Sequence, residues 1–166
     1  AYSYDRAGTA LAGVGDLDDD GVLDLAVVAE SHSTGTRGDA GLVYLLYGPA
    51  TGAGELDSDG ALVAEFADSA VSVAGGDLDG DGLDDLAVGY PEGSSGGPAE
   101  TGLVFVAYGP VSGALDMETD ADLTLTGESD DDDAGDALHM PGDMDGDGYG
   151  DLMVGAPRYS GVRSRA

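Results

Sequence analysis

Apolar residues along this chain come in short runs, not in long periodic stretches. Residues 25–29, 42–47 and 103–108 form runs of five or six, rich in Val, Leu and aromatics and bounded by Gly, Pro or Asp. Runs of that length, composition and boundary predict β-strands. Apolar residues fill consecutive positions within them, so both faces of each strand are expected to be covered. Weaker outer strands are expected at 61–67 and 122–126, and no segment holds a helical period over about ten residues.

The runs recur. "GLVYLLYGP" at 41–49 returns as "GLVFVAYGP" at 102–110, an offset of 61 residues. "GDLDDDGVLDLAVVAE" from Gly15 returns as "GDLDGDGLDDLAVGYP" from Gly76 and "GDMDGDGYGDLMVGAP" from Gly142. Their lead aspartates, Asp16, Asp77 and Asp143, are spaced 61 and 66 residues apart. Short segments precede each of these stretches: "GTALAGVG", "SAVSVAGG" and "GDALHMPG". Recurrence at a fixed period marks a repeated supersecondary unit.

A four-stranded antiparallel unit with both faces buried is what a β-propeller blade requires, because its sheets stack radially on their neighbours. The expected fold is therefore all-β. Blade 1 spans 1–68, blade 2 spans 69–128, and 129–166 supplies only the inner strands of a partial blade 3. That is about two and a half blades, an incomplete ring beside the roughly four to eight of a closed propeller.

Composition agrees with a folded chain. The 166 residues suffice for a real core, and 42% hydrophobic content argues against wholesale disorder. Thirty glycines and six prolines fall at regular places, as turn punctuation would. Charge changes the picture more. Thirty-four acidic residues face five basic ones, all arginine, for a net −29. Such a surface repels phosphate, which disfavours nucleic acid and docking on anionic lipid. Cation binding and an acidic surface suited to a salty medium both account for it. The chain has no cysteine, so neither a disulfide nor a thiolate metal site can form. No apolar run reaches the roughly 18–20 residues of a membrane span, no signal peptide is visible, and the start at Ala1 suggests a processed chain or an excised fragment.

The acids concentrate in three loops of pattern D-x-D-x-D-G-x-x-D. The expected side-chain ligands are Asp16, Asp18, Asp20 and Asp24; Asp77, Asp79, Asp81 and Asp85; and Asp143, Asp145, Asp147 and Asp151. Oxygens at positions 1, 3, 5 and 9, with a backbone carbonyl at 7, let a tightly turning loop wrap a hard cation. Those carbonyls would come from Val22, Leu83 and Tyr149, and position 6 is Gly21, Gly82 or Gly148, where the turn is sharpest. All-oxygen ligation in a flexible multidentate loop selects Ca2+, giving three sites. An acidic surface turn is the bland alternative, but three loops in register, each with its glycine, outweigh it. An EF-hand would need a bidentate Glu at position 12, where this chain has Val27, Val88 and Val154.

With these loops and the strands that follow them, the units resemble FG-GAP repeats, the blades of the integrin α-subunit propeller and of related bacterial extracellular proteins. The resemblance covers nearly the whole chain and implies that each loop joins the two innermost strands of a blade. "GAP" survives as Gly155-Ala156-Pro157 alone, while Ala7-Gly8, Asp68-Ser69 and Ala134-Gly135 replace the "FG" dipeptide. The function expected is a calcium-stabilised extracellular module for protein or glycan binding and adhesion, not an enzyme and with no catalytic residues. The alternative is the non-catalytic or loop-catalytic propeller portion of a secreted carbohydrate-active enzyme. Two and a half blades leave apolar faces open, so the chain is expected to be a fragment of a larger propeller or to form a homo-oligomer.

Remaining features are weaker. Arg37-Gly38-Asp39 spells an adhesive tripeptide, but three-letter matches arise freely. His139 is expected to pack or line the funnel in an inner strand, and His32 to lie solvated in a Ser-rich loop. Residues 128–133, "ESDDDD", read as a solvated interblade loop, and 91–100 as a flexible one. Arg158, Arg163 and Arg165 read as a frayed tail, or as a patch docking an acidic face of another copy or of further blades.

Overall fold

A computed structural model describes residues 6–32, 40–49, 51–52, 56, 61–65, 72–93 and 101–159. Its elements run β1 (Ala7–Gly15), β2 (Asp24–His32), β3 (Ala40–Leu46), β4 (Ala61–Glu65), β5 (Ser72–Gly76), β6 (Asp85–Tyr90), β7 (Leu103–Ala107), α1 (Met117–Asp120), β8 (Leu123–Thr126), β9 (Ala137–Gly142) and β10 (Asp151–Gly155). They form two four-stranded sheets, β1-β2-β3-β4 and β5-β6-β7-β8, and a two-stranded sheet of β9 and β10. All pairings are antiparallel between consecutive strands, so each sheet is a simple meander.

Side-chain alternation shows how the sheets stack. On β6, Leu86, Val88 and Tyr90 enter a core with Ala26 and Val28 of β2 and Val43 and Leu45 of β3. On the opposite face Ala87, with Val104 and Val106 of β7, packs against Leu138, Met140 and Leu152 of the third sheet. The middle sheet is thus sandwiched between the other two, the arrangement of successive propeller blades in an open ring. This is why apolar residues run consecutively in β6 and β7, which are buried at every position. Strand β10 has such a neighbour on one face, and Met153 on its other face stays 54% exposed.

The innermost strands β1, β5 and β9 sit side by side. Their closeness explains their small residues: a Cβ on Gly75 would run into the Val14 backbone of β1. At the next junction a Cβ on Gly89 would strike the Gly135 carbonyl and the Ser72 hydroxyl, which donates to that carbonyl at 2.6 Å. Gly89→Ala is therefore expected to destabilise the chain by about 1–3 kcal/mol through overpacking. A denaturant melt with an unchanged midpoint would show that this junction yields freely.

Three expectations are corrected. Strand β2 continues to His32, which pairs with Ala40, so His32 ends a strand and does not lie in a loop. The four-residue helical turn α1 agrees with the absence of any longer helical period. Asp116 caps it by accepting the Glu118 amide at 3.1 Å, and Met117 is fully buried, but one turn is too short to show a period. The 128–133 segment is not merely solvated. Asp132 is 1% exposed and accepts the Ser129 amide at 2.7 Å. Arg158 pairs with Asp133 at 3.0 Å and the Tyr159 hydroxyl donates to Glu128 at 2.9 Å, so the chain after β10 folds back over that acidic run and Arg158 is not a frayed tail residue. Arg163, Arg165, Arg37-Gly38-Asp39 and residues 94–100 lie outside the described residues.

Candidate metal centres

Each acidic loop joins the first two strands of its sheet: 16–24 between β1 and β2, 77–85 between β5 and β6, and 143–151 between β9 and β10. The position-1 carboxylate folds the loop around itself. Asp16 accepts the amides of Asp20 at 3.0 Å and Gly21 at 2.8 Å. Asp77 likewise takes Gly80 and Gly82, and Asp143 takes Gly146, Asp147 and Gly148. For the position-6 amide to point inward, Gly21, Gly82 and Gly148 adopt φ of +86°, +93° and +98°. A Cβ there would meet nothing within 4 Å, so it is the left-handed backbone, not crowding, that calls for glycine.

Within this frame the carboxylates of positions 1, 3 and 9 converge. Asp16, Asp18 and Asp24 offer oxygens within 4.8 Å of one another, as do Asp77, Asp79 and Asp85, and Asp143, Asp145 and Asp151. The position-5 residues Asp20, Asp81 and Asp147 are not brought into these triads. Each instead accepts the amide of position 7: Val22 at 2.8 Å, Leu83 at 2.8 Å and Tyr149 at 3.0 Å.

Three carboxylates this close repel unless a positive charge joins them. Both described arginines are engaged elsewhere, Arg6 with Glu30 and Arg158 with Asp133. Asp18 Oδ1 is buried without a hydrogen-bond partner, an acceptor on a triad residue that no donor among the described residues satisfies. Burial, then Asp20 and Asp24, push the Asp18 carboxyl above the ordinary carboxylate range. Burial likewise raises Asp85, against the amides of Gly109 and Leu78 that lower it. Nearby Tyr47 is pushed up to about 12, by burial first and then by Asp18 and Asp24. An all-oxygen donor set with an orphaned acceptor and no protein counter-charge among the described residues fits a hard divalent cation.

Position 9 has a second duty absent from the sequence pattern. Asp24 accepts the Leu17 amide at 2.8 Å with one oxygen and the Gly48 amide at 2.8 Å with the other. Asp85 does the same with Leu78 at 2.7 Å and Gly109 at 2.8 Å. Gly48 and Gly109 belong to the Tyr-Gly-Pro turns after the third strands, so one carboxylate ties the loop to the outer half of the blade. Asp151 holds Met144 at 2.6 Å but has no such turn to grip among the described residues. A signal was there: in both complete units the turn glycine follows the aspartate by 24 residues.

Residues 69–106 and 140–165 match the family model of the FG-GAP repeat. The chain carries FG-GAP repeats. The phosphatidylinositol-glycan-specific phospholipase D of Rattus norvegicus is 35% identical over 164 residues, covering 93% of this chain and 19% of that protein. Its Mus musculus counterpart is 34% identical, over 98% of the chain and 20% of the relative. Integrin alpha-PS5 of Drosophila melanogaster is 32% identical over 89% of the chain and 14% of its own length. The chain thus spans about a fifth or less of the curated relatives it matches. In FG-GAP terms, the sheets are two full propeller blades and the inner half of a third. His139 of β9 lies with Leu11, Ala12, Val73 and Met140 along the groove between the inner strands, an exposed lining residue with no acid–base partner beside it among the described residues.

Proposed function

We propose that this chain is a calcium-stabilised extracellular propeller module that binds a protein or glycan ligand and is not itself catalytic. One observation carries the reading: three equivalent carboxylate triads, at the same place in successive sheets, with no cationic side chain against them among the described residues. Calcium at each triad would neutralise the crowded acids. Asp16, Asp18 and Asp24, with their counterparts Asp77, Asp79 and Asp85 and Asp143, Asp145 and Asp151, would hold it, with Asp20, Asp81, Asp147 and the carbonyls of Val22, Leu83 and Tyr149 as further oxygens. Extracellular modules work with calcium affinities near 10⁻⁴–10⁻³ M, which cytosolic calcium cannot saturate, and sites of that class support an exported module. No described helix is long and apolar enough to cross a membrane.

The phospholipase D relatives favour a second reading, in which the same module is a non-catalytic part of a larger secreted enzyme acting on glycan-bearing substrates. Glycan and protein arrays probed with the chain in calcium, alongside turnover assays on polysaccharides and glycosylated lipids, separate the two. Calcium-dependent capture without turnover is expected, and turnover by the chain alone would overturn the non-catalytic assignment. The exposed Met153 and Val154 of β10 support association with further blades or with another copy, which light scattering in calcium reads directly.

A further inference from the structure

The three loops are not isolated from one another. Position 8, which lies outside the ligand pattern, reaches in the second and third loops toward the loop of the preceding sheet. Asp84, at position 8 of the second loop, accepts the backbone amide of Asp16, the first residue of loop one, at 2.8 Å. Its carboxylate occupies the place where a Cβ on Gly15 would sit. Gly150, at position 8 of the third loop, lies against the carbonyl of Asp77 and Cα of Leu78, the first residues of loop two. Leu23, at position 8 of the first loop, has no preceding loop beside it among the described residues and is 77% exposed. The two junctions therefore share a place but not a chemistry. Between loops one and two the contact is a carboxylate–amide hydrogen bond, whereas between loops two and three it is a close backbone approach at Gly150, with the Gly148 carbonyl and Tyr149 ring against Gly80.

Asp84 is also the residue before Asp85, the buried position-9 carboxylate of its own triad. A shift in Asp85 as loop two closes on a cation is carried by one peptide unit to Asp84 and then by one hydrogen bond to Asp16, a member of the first triad. We propose that Asp84 is a positioning residue that couples the first two cation sites, so that closing either loop favours the other, while the third fills independently of Asp84. The inference rests on the proposed calcium reading of the triads. Coupling of this kind is reciprocal and is typically worth about 5- to 150-fold in affinity.

The test is a calcium titration followed by NMR at the amides of Gly21, Gly82 and Gly148, which report their own loops one by one. Removing the second site by Asp79→Ala is expected to weaken calcium binding at Gly21 roughly tenfold and to leave Gly148 unchanged. With Asp84→Ala also present, Asp79→Ala should have no further effect at Gly21. Asp84→Asn keeps an acceptor oxygen for the Asp16 amide and should restore the coupling. A merely structural role for Asp84 predicts a lower melting temperature in chelator with the site affinities unmoved, and that result overturns the proposal. So does a Gly21 titration indifferent to Asp79→Ala in the otherwise native chain, a measurement that needs no Asp84 variant to fold. If none of the three glycines responds to calcium, the calcium reading itself fails and the coupling with it, a pattern distinct from three independent titrations.

Discussion

Stripping the chain of calcium with excess EGTA is expected to lower its melting temperature by about 8–16 °C. The size follows from mass action. A ligand that binds only the folded state at about 10 times its dissociation constant adds about 1.4 kcal/mol, so three sites add roughly 4 kcal/mol. For a domain of this size each kcal/mol moves the melting temperature by about 2–4 °C. The sign follows from the triads. The unfolded chain spreads the acids apart and holds the ion poorly, whereas the fold brings three carboxylates within 4.8 Å without a protein cation beside them among the described residues. Removing the ion thus withdraws binding energy and exposes the repulsion it had offset. In a cysteine-free chain no covalent cross-link ties β1 to β2 or β5 to β6 at that end. Scanning calorimetry in millimolar calcium and again in EGTA measures the difference. Superimposable melts would dismiss a structural role for the metal.

Much of this was legible because the repeat writes the same instruction three times. A single D-x-D-x-D-G stretch is an acidic turn, but repetition with the glycine at position 6 fixed the turn geometry, and the structure places that glycine at positive φ in all three loops. Strand positions were legible for the same reason, since consecutive apolar residues report two buried faces whatever the sheet order. Long-range matters were not. That Asp85 reaches Gly109 depends on the register of β6 with β7, where Leu86 pairs with Ala107. That Asp84 reaches Asp16 depends on how two blades abut, and position 8 is Leu, Asp and Gly in turn, so no pattern marks it. The fold-back of Arg158 onto Asp133 was hidden because an arginine near a chain end carries no sequence sign of its partner.

The double duty of position 9 leads to the second large effect, one that ligand counting alone would not give. Asp85→Ala is expected to destabilise the chain both with and without calcium, whereas Asp79→Ala should do so in calcium alone. Asp85 is fully buried, and its two oxygens hold the amides of Leu78 and Gly109. Truncation leaves both donors unpaired, and a hydrogen bond to a charged group is worth about 1.5–3 kcal/mol. Part of that is offset in the metal-free chain, where burial and the neighbouring Asp79 and Asp77 oppose the Asp85 charge. A net loss of about 2–4 kcal/mol in EGTA is the expected outcome, with the further loss of the site-two contribution when calcium is present. Asp79 bonds the exposed Asp81 amide at 3.1 Å, and its removal relieves a like charge, so its metal-free cost should be near zero. Asp151→Ala should fall between them, since Asp151 grips Met144 but no turn glycine among the described residues. Paired urea titrations of the three variants in EGTA decide the matter. Equal losses for Asp79→Ala and Asp85→Ala would mean that position 9 is one ligand among several, and that the tie to the Tyr-Gly-Pro turn carries no weight of its own.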